Sequence, residues 1–374
     1  MQRRLATTAL KAFLWIVVPF FCVEILLTVL DPYLFKGFFQ SDPDLGFRVR
    51  SYFPTADGGR TNLFGFNDRD YPLQKTPGTF RVLVLGDSFC WSGGHDGNYT
   101  AILERKLETY HGKHKVDVIN AGYYATHTGE QLALLKKFGL QYNPDLVILS
   151  FFVGNDFQDG DPNRKRIIVN DAQVDIDRRR EHKILGYPIV FPGRLLILMR
   201  QRYEAYRESH NAGDGTFSED TYLTVERFRL DFFNRLAFET GRYQQSIDYI
   251  LQSVLAMSDL LNSRHIGFVV AIFPDEFQVS PDLFTAILQK FKLKREDYDL
   301  GLAQNLLGSF LNSRGIPYID FLDRFTAEGR KEPLYQLRDS HWNGAGNQLA
   351  ADILYDDLLK RTANSPQTPG LVKQ

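Results

Sequence analysis

Cysteine is nearly absent: the chain of 374 residues holds only Cys22 and Cys90. One lies in an apolar run near the N-terminus and the other in the body, so no disulfide is expected and the fold must rest on its core. Net charge is almost absent too. Lys and Arg number 44 against 45 Asp and Glu, a formal −1. That balance lacks the basic excess that a nucleic-acid partner would require. There is no HExxH, no Cys-rich metal pattern, no internal repeat and no long low-complexity tract. Neither a metal nor an organic cofactor is expected.

Apolar residues, by contrast, make up 44% of the chain, enough for a substantial core. One run stands out. Ala12 to Leu30 reads AFLWIVVPFFCVEILLTVL. At about 1.5 Å per residue a helix of this length spans a bilayer core. Glu24 is its one costly residue, and Pro19 is tolerable there. Arg3, Arg4 and Lys11 precede the run, whereas Asp31, Asp42 and Asp44 follow it. The expectation is a single-pass anchor with a cytoplasmic N-terminus and an extracytoplasmic, periplasmic body. The DPYLFKGFF that follows offers no small-residue cleavage site, which favours an anchor over a cleaved signal.

Residues 31–79 read as a juxtamembrane segment, with a structured loop at RTNLFGFNDRDYP (60–72). Short β-branched runs then alternate with helical stretches. The runs are Phe80–Leu85, Val116–Asn120, Leu146–Phe152, Phe268–Phe273 and Ile316–Phe321. Near-continuous apolar strands separated by helices indicate an α/β fold with a doubly wound, mainly parallel five-stranded sheet. This domain is expected over 80–362, with an insertion or lid at about 157–240 and a flexible tail over 363–374. The charge run Arg164 to Lys183 inside the insertion reads as a solvated face.

In such sheets ligands bind beyond the carboxyl ends of the strands. The first strand is followed there by Gly86-Asp87-Ser88, the second by Asn120-Ala121-Gly122 and the third by Gly154-Asn155-Asp156. Ser88 on a tight turn is a candidate nucleophile, although serine is also an ordinary helix cap. The Gly122 N–H, the Asn155 amide and the Ser88 N–H are candidate oxyanion donors. Singly, each reads equally well as a turn. Of eight histidines, His341 lies in Arg338-Asp339-Ser340-His341-Trp342, before a helix at Ala345 to Lys360. In an extended segment Asp339 points to the same side and can orient the imidazole. His95 and His127 fall in loops near these blocks. Trp91 and Trp342 flank them and either stack on a substrate or bury in the core.

These blocks, in this order after successive strands, resemble those of the SGNH (GDSL-like) hydrolase superfamily over residues 80–156 and 335–360. Residues 62–149 also resemble bacterial membrane-anchored members. The resemblance implies serine-dependent ester hydrolysis or O-acyl transfer through Ser88 and His341. One feature departs from it. The family usually places its acid three residues before the histidine, and position 338 is Arg, with Asp339 one residue later. Asp-x-His-Trp is similar to the spelling in proteins that acetylate exported polysaccharides. An acyl, most simply acetyl, ester of extracytoplasmic carbohydrate is therefore the first expected substrate. A lipid or lysophospholipid esterase and a non-catalytic glycan-binding scaffold of the same fold are the alternatives.

Overall fold

The computed structural model describes residues 2–111, 115–177, 193–211 and 217–364, with 179, 182–184, 187, 188 and 190. The turn around His114, part of the insertion and nearly all of the 363–374 tail lie outside the described residues. The chain divides into two compact units, one of residues 1–50 with 163–215 and one of residues 51–162 with 216–374.

The larger unit is built on a five-stranded parallel sheet. Its strands are β1 (Phe80–Leu85), β2 (Val116–Asn120), β3 (Leu146–Phe152), β4 (Gly267–Phe273) and β5 (Tyr318–Asp320). Their spatial order is β5-β4-β3-β1-β2, the doubly wound α/β arrangement that the apolar runs predict. Every residue of β1 and β3 is buried. That requires cover on both faces, which explains the unbroken Val, Leu, Ile and Phe composition. Val82, Val84, Val118 and Ile148 pack on one face with Leu103 and Leu107 of helix Tyr99–His111 and with Ala350 and Leu354 of helix Gly344–Asn364. On the other face Leu83 and Leu135, the latter from helix Thr128–Lys137, flank Gly139 so closely that a Cβ there would lie 2.7 Å from Leu83.

The 60–72 loop is structured, and it serves the sheet edge. The Asn62 side chain accepts from the N–H groups of Phe64 and Phe66, both at 3.0 Å. The Asp68 carboxylate then takes the Asn120 N–H at 2.8 Å. Thus the stretch from Ser51 onward packs with the sheet, whereas residues 31–50 belong to the smaller unit.

The smaller unit contains the helix Gln2–Leu34, a hairpin of Phe39–Asp42 and Gly46–Val49, a second hairpin of Arg164–Val169 and Ala172–Asp177, and a helix Arg194–Asn211. The charge run thus forms a hairpin. Its Ile167 and Val169 pack on Val190, while Arg166 pairs with Asp175 at 3.1 Å. Residues 163–215 fold with the N-terminal 50 residues, and residues 216–240 fold with the sheet. Within the long N-terminal helix, Phe13–Asp31 is apolar and long enough to cross a membrane.

Candidate active site

Ser88 opens a single 3-10 turn, Ser88–Cys90, directly after β1. The turn is fixed from both sides. The Asp87 carboxylate caps it by accepting the Phe89 N–H at 2.9 Å, and the Trp91 N–H donates to the Ser88 carbonyl at 2.9 Å. Phe89 is buried in the core, whereas Ser88 beside it stays partly exposed.

His341 arrives on a short hairpin of Tyr335–Gln336 and Asp339–Trp342. Arg338 turns the chain into it at φ 52°, a left-handed conformation that a side-chain-bearing residue rarely adopts. Asp339 then accepts twice from one residue: from the His341 N–H at 3.1 Å and from Nδ1 at 2.6 Å. Nε2 on the far side of the ring lies 2.7 Å from Ser88 Oγ. The structure therefore brings Ser88, His341 and Asp339 into one hydrogen-bonded chain. The backbone bond makes spacing by two workable, because the turn that carries the acid also presents the imidazole. Burial alone would raise the Asp339 carboxyl. The hydrogen bonds and charge of His341 outweigh it and hold the group below the usual carboxylate range. Phe89 stands against the imidazole with ring centroids 5.2 Å apart.

Gly122 sits beside this turn. A Cβ there would fall 2.2 Å from the Cys90 Cβ, so only glycine fits. Its N–H donates to Asn120 Oδ1 at 3.2 Å. Asn155 follows β3, next to β1 in the sheet, and its Nδ2 donates to Asp159 at 3.1 Å. Both groups lie at the carboxyl edge that carries Ser88, and each N–H has an internal acceptor.

The two tryptophans part company. Trp91 is partly exposed. Its Nε1–H donates to the Gly122 carbonyl at 3.1 Å, and its ring meets the exposed Tyr124 edge-on at 6.0 Å. Trp342 is a correction to the sequence reading. It is 0% exposed and packs among Phe89, Phe273, Phe321 and Phe325, so no substrate can stack on it. Neither loop histidine is presented to a ligand. His127 is buried and caps helix Thr128–Lys137. His95 ties a neighbouring loop, bonded to Asp57 at 2.8 Å and to the Arg60 carbonyl at 2.9 Å.

Sequence reasoning missed two groups. Asn120 is one: its Nδ2 donates to the Cys90 carbonyl at 2.6 Å while its Oδ1 holds Gly122, so it ties the first two blocks together. Its place at the end of a strand, two residues before the glycine, was the available signal. The other is a buried ionic group around Arg229. Arg229 donates to Glu226 at 2.9 Å, lies 3.8 Å from Asp275 and covers the Phe152 ring. Glu226 and Asp275 are both fully buried, and each has one oxygen with no other donor. Burial pushes both carboxyls up, and the charge of Asp275 raises Glu226 further. Asp156 is also raised, by burial and then by the charge of Asp87. Among the described residues no group of His, Cys, Asp and Glu is arranged to hold a metal ion.

Residues 232–371 match the family model described as SGNH hydrolase-like domain, acetyltransferase AlgX. No curated protein matches the chain. Solved structures similar to it include an acetyl xylan esterase, AlAXEase, at 16% identity and TM-score 0.41, covering 75% of this chain and 100% of that one. A G-D-S-L lipolytic protein from Veillonella parvula has 11% identity and TM-score 0.39, covering 75% and 100%. A lipase/acylhydrolase from Enterococcus faecalis has 13% identity and TM-score 0.36, covering 76% and 97%. Over residues 232–371 the chain is thus similar to an SGNH hydrolase-like domain, on a parallel five-stranded sheet with its blocks at successive strand ends.

Proposed function

We propose that this chain is a serine-dependent ester hydrolase or O-acyltransferase acting on acyl, most simply acetyl, esters of carbohydrate outside the membrane. The observation that carries the reading is the chain of hydrogen bonds from Ser88 through His341 to Asp339, at 2.7 and 2.6 Å. Ser88 Oγ attacks the ester carbonyl as His341 Nε2 takes its proton. Asp339 holds the Nδ1–H and stabilises the imidazolium that forms. The tetrahedral oxyanion is received by the Ser88 and Gly122 N–H groups and by the Asn155 amide. Gly122 gives up its long bond to Asn120 for this purpose, and the second Nδ2 hydrogen of Asn155 remains to donate. The imidazolium returns its proton to the leaving alcohol. A water or a sugar hydroxyl, deprotonated by His341, then cleaves the acyl-enzyme, and Ser88 recovers its proton.

Carbohydrate is favoured by the Trp91 and Tyr124 pair at the rim, a partly exposed aromatic surface beside the Gly122 backbone. In this reading helix Gln2–Leu34 anchors the protein in the cell membrane, with its N-terminus cytoplasmic and the sheet domain extracytoplasmic. The test is turnover of p-nitrophenyl acetate and of an acetylated oligosaccharide by the parent, Ser88→Ala and His341→Ala. The expected result is loss by at least about 10³-fold in the serine variant and about 10²–10⁴-fold in the histidine variant, with both still folded. Full turnover in Ser88→Ala would sink the serine mechanism.

A further inference from the structure

Glu24 poses a physical problem. It lies inside the apolar stretch Phe13–Asp31, where an isolated carboxylate is expensive. The smaller unit resolves it. Glu24 Oε2 accepts the Arg194 N–H at 2.8 Å, and Oε1 accepts the Leu195 N–H at 2.7 Å. These are orphan amides of the first turn of helix Arg194–Asn211, a place where a negative charge is favoured. Gly193, at φ 119°, makes room, since a Cβ there would lie 2.8 Å from Glu24. The Arg194 side chain runs the other way and binds the Asp31 carboxylate. Glu24 precedes Asp31 by about two helical turns, roughly 10 Å. The Arg194 backbone is thus level with the interior of the apolar stretch, while its guanidinium reaches the polar end. That is how an arginine snorkels from an apolar layer to its surface.

The rest of the helix fits the same depth. Ile197 packs on the small core of Ile167, Val169 and Val190. On the opposite side Leu196, Met199 and Tyr203, spaced by three and four residues, are 44%, 59% and 65% exposed. Arg200 and Arg202 flank them. An apolar stripe edged with arginine is the pattern of a helix lying in a bilayer interface.

We propose that helix Arg194–Asn211 is a second membrane element. It lies in the extracytoplasmic leaflet beside the anchor, with Leu196, Met199 and Tyr203 among the acyl chains, and Glu24 is the bond that docks it there. This rests on the anchor reading of Gln2–Leu34. The partner surface is the lipid bilayer that the anchor crosses.

The test uses the full chain with Cys22→Ser, reconstituted in phosphatidylcholine and phosphatidylglycerol vesicles. Single spin labels replace Val18, Met199 or Ser263; the buried Cys90 thiol does not react. Power saturation compares collision with oxygen and with a water-soluble nickel chelate. Labels at 18 and 199 should both favour oxygen, with nickel accessibility at least about 5-fold below that at the exposed 263. A shielded label at 18 with a label at 199 as open to nickel as 263 would overturn the second element and leave the anchor standing. Nickel access at 18 itself would overturn both.

Discussion

Two sets of carboxylates lie in the sheet domain, and burial acts on both with opposite results. At the hairpin, Asp339 faces the imidazole of His341 and is held below the usual carboxylate range. Around Arg229, Glu226 and Asp275 are more deeply buried and face each other, and both are raised. One guanidinium stands among several buried acids, so the inner carboxyls are pushed up while the outer one is held down. The partner, more than the depth, decides the charge. In the proposed mechanism each state has a use. A charged Asp339 can orient and stabilise His341, and the inner layer ties Phe152 at the end of β3 and Asp275 after β4 to one guanidinium. Gly154 marks how tightly the layers fit, since a Cβ there would lie 2.2 Å from Asp275.

The comparison can be broken at its outer member first. Asp339→Asn keeps the shape but replaces the charge with an amide that can hold the wrong imidazole tautomer. Turnover should fall by roughly 10³-fold, with a modest loss of thermal stability at neutral pH. The stability that Asp339 lends through its lowered pKa is present above the ordinary carboxylate range. It is lost as pH falls through that lowered value, so in acid the parent should converge on the variant's stability. Unchanged turnover would assign the orientation of His341 to the backbone alone.

The inner member should fail differently. Arg229→Met removes the cation and leaves buried acids unpaired, a loss of about 3–5 kcal/mol in urea unfolding. Glu226→Gln keeps the shape and removes one of the crowded acids, and should cost much less. Equal losses in the two variants would contradict the crowding of acids around one guanidinium.

A gentler probe is Glu276, bonded by the Tyr222 hydroxyl and raised from 4.5 to about 7, by burial first. Between those values the folded state retains a proton that the unfolded chain releases. Its contribution to stability therefore falls as pH rises from about 4.5 to about 7, then stays level. Glu276→Gln should remove that slope and recover on the order of 2 kcal/mol at pH 8 relative to pH 5. A parallel pH profile in the variant would show that the group titrates normally.

The smallest effect is expected at the rim. Trp91→Phe keeps an aromatic face and loses the bond to the Gly122 carbonyl, whereas Trp91→Ala loses both. On an acetylated oligosaccharide the alanine variant should raise KM about 3–10-fold more than the phenylalanine one. Equal KM values would remove Trp91 from substrate binding.

How much of this was legible in the sequence follows the physics of each part. Strands buried on both faces leave unbroken β-branched runs, so β1, β2 and β3 match their sequence boundaries. Ser88, Gly122 and Asn155 stand at the strand ends where such sheets place their ligands. The fate of Trp342 was not legible, because an aromatic beside a site reads the same whether it faces solvent or core. Nor was the Arg229 group: Glu226 and Arg229, three residues apart on a helix, spell an ordinary solvated pair, and only tertiary packing buries them. Nor was the tie of the 60–72 loop to the sheet edge, since the bond from Asn120 to Asp68 is long-range and no local pattern announces it.

The central claim is that Ser88 is the nucleophile and His341 its base. The most direct measurement is mass spectrometry of the protein after exposure to a fluorophosphonate. The account predicts one adduct on Ser88 in the parent, none in Ser88→Ala, and labelling slowed by about 10²-fold or more in His341→Ala. An unlabelled Ser88 in the parent, or esterase turnover that survives in Ser88→Ala, would contradict it.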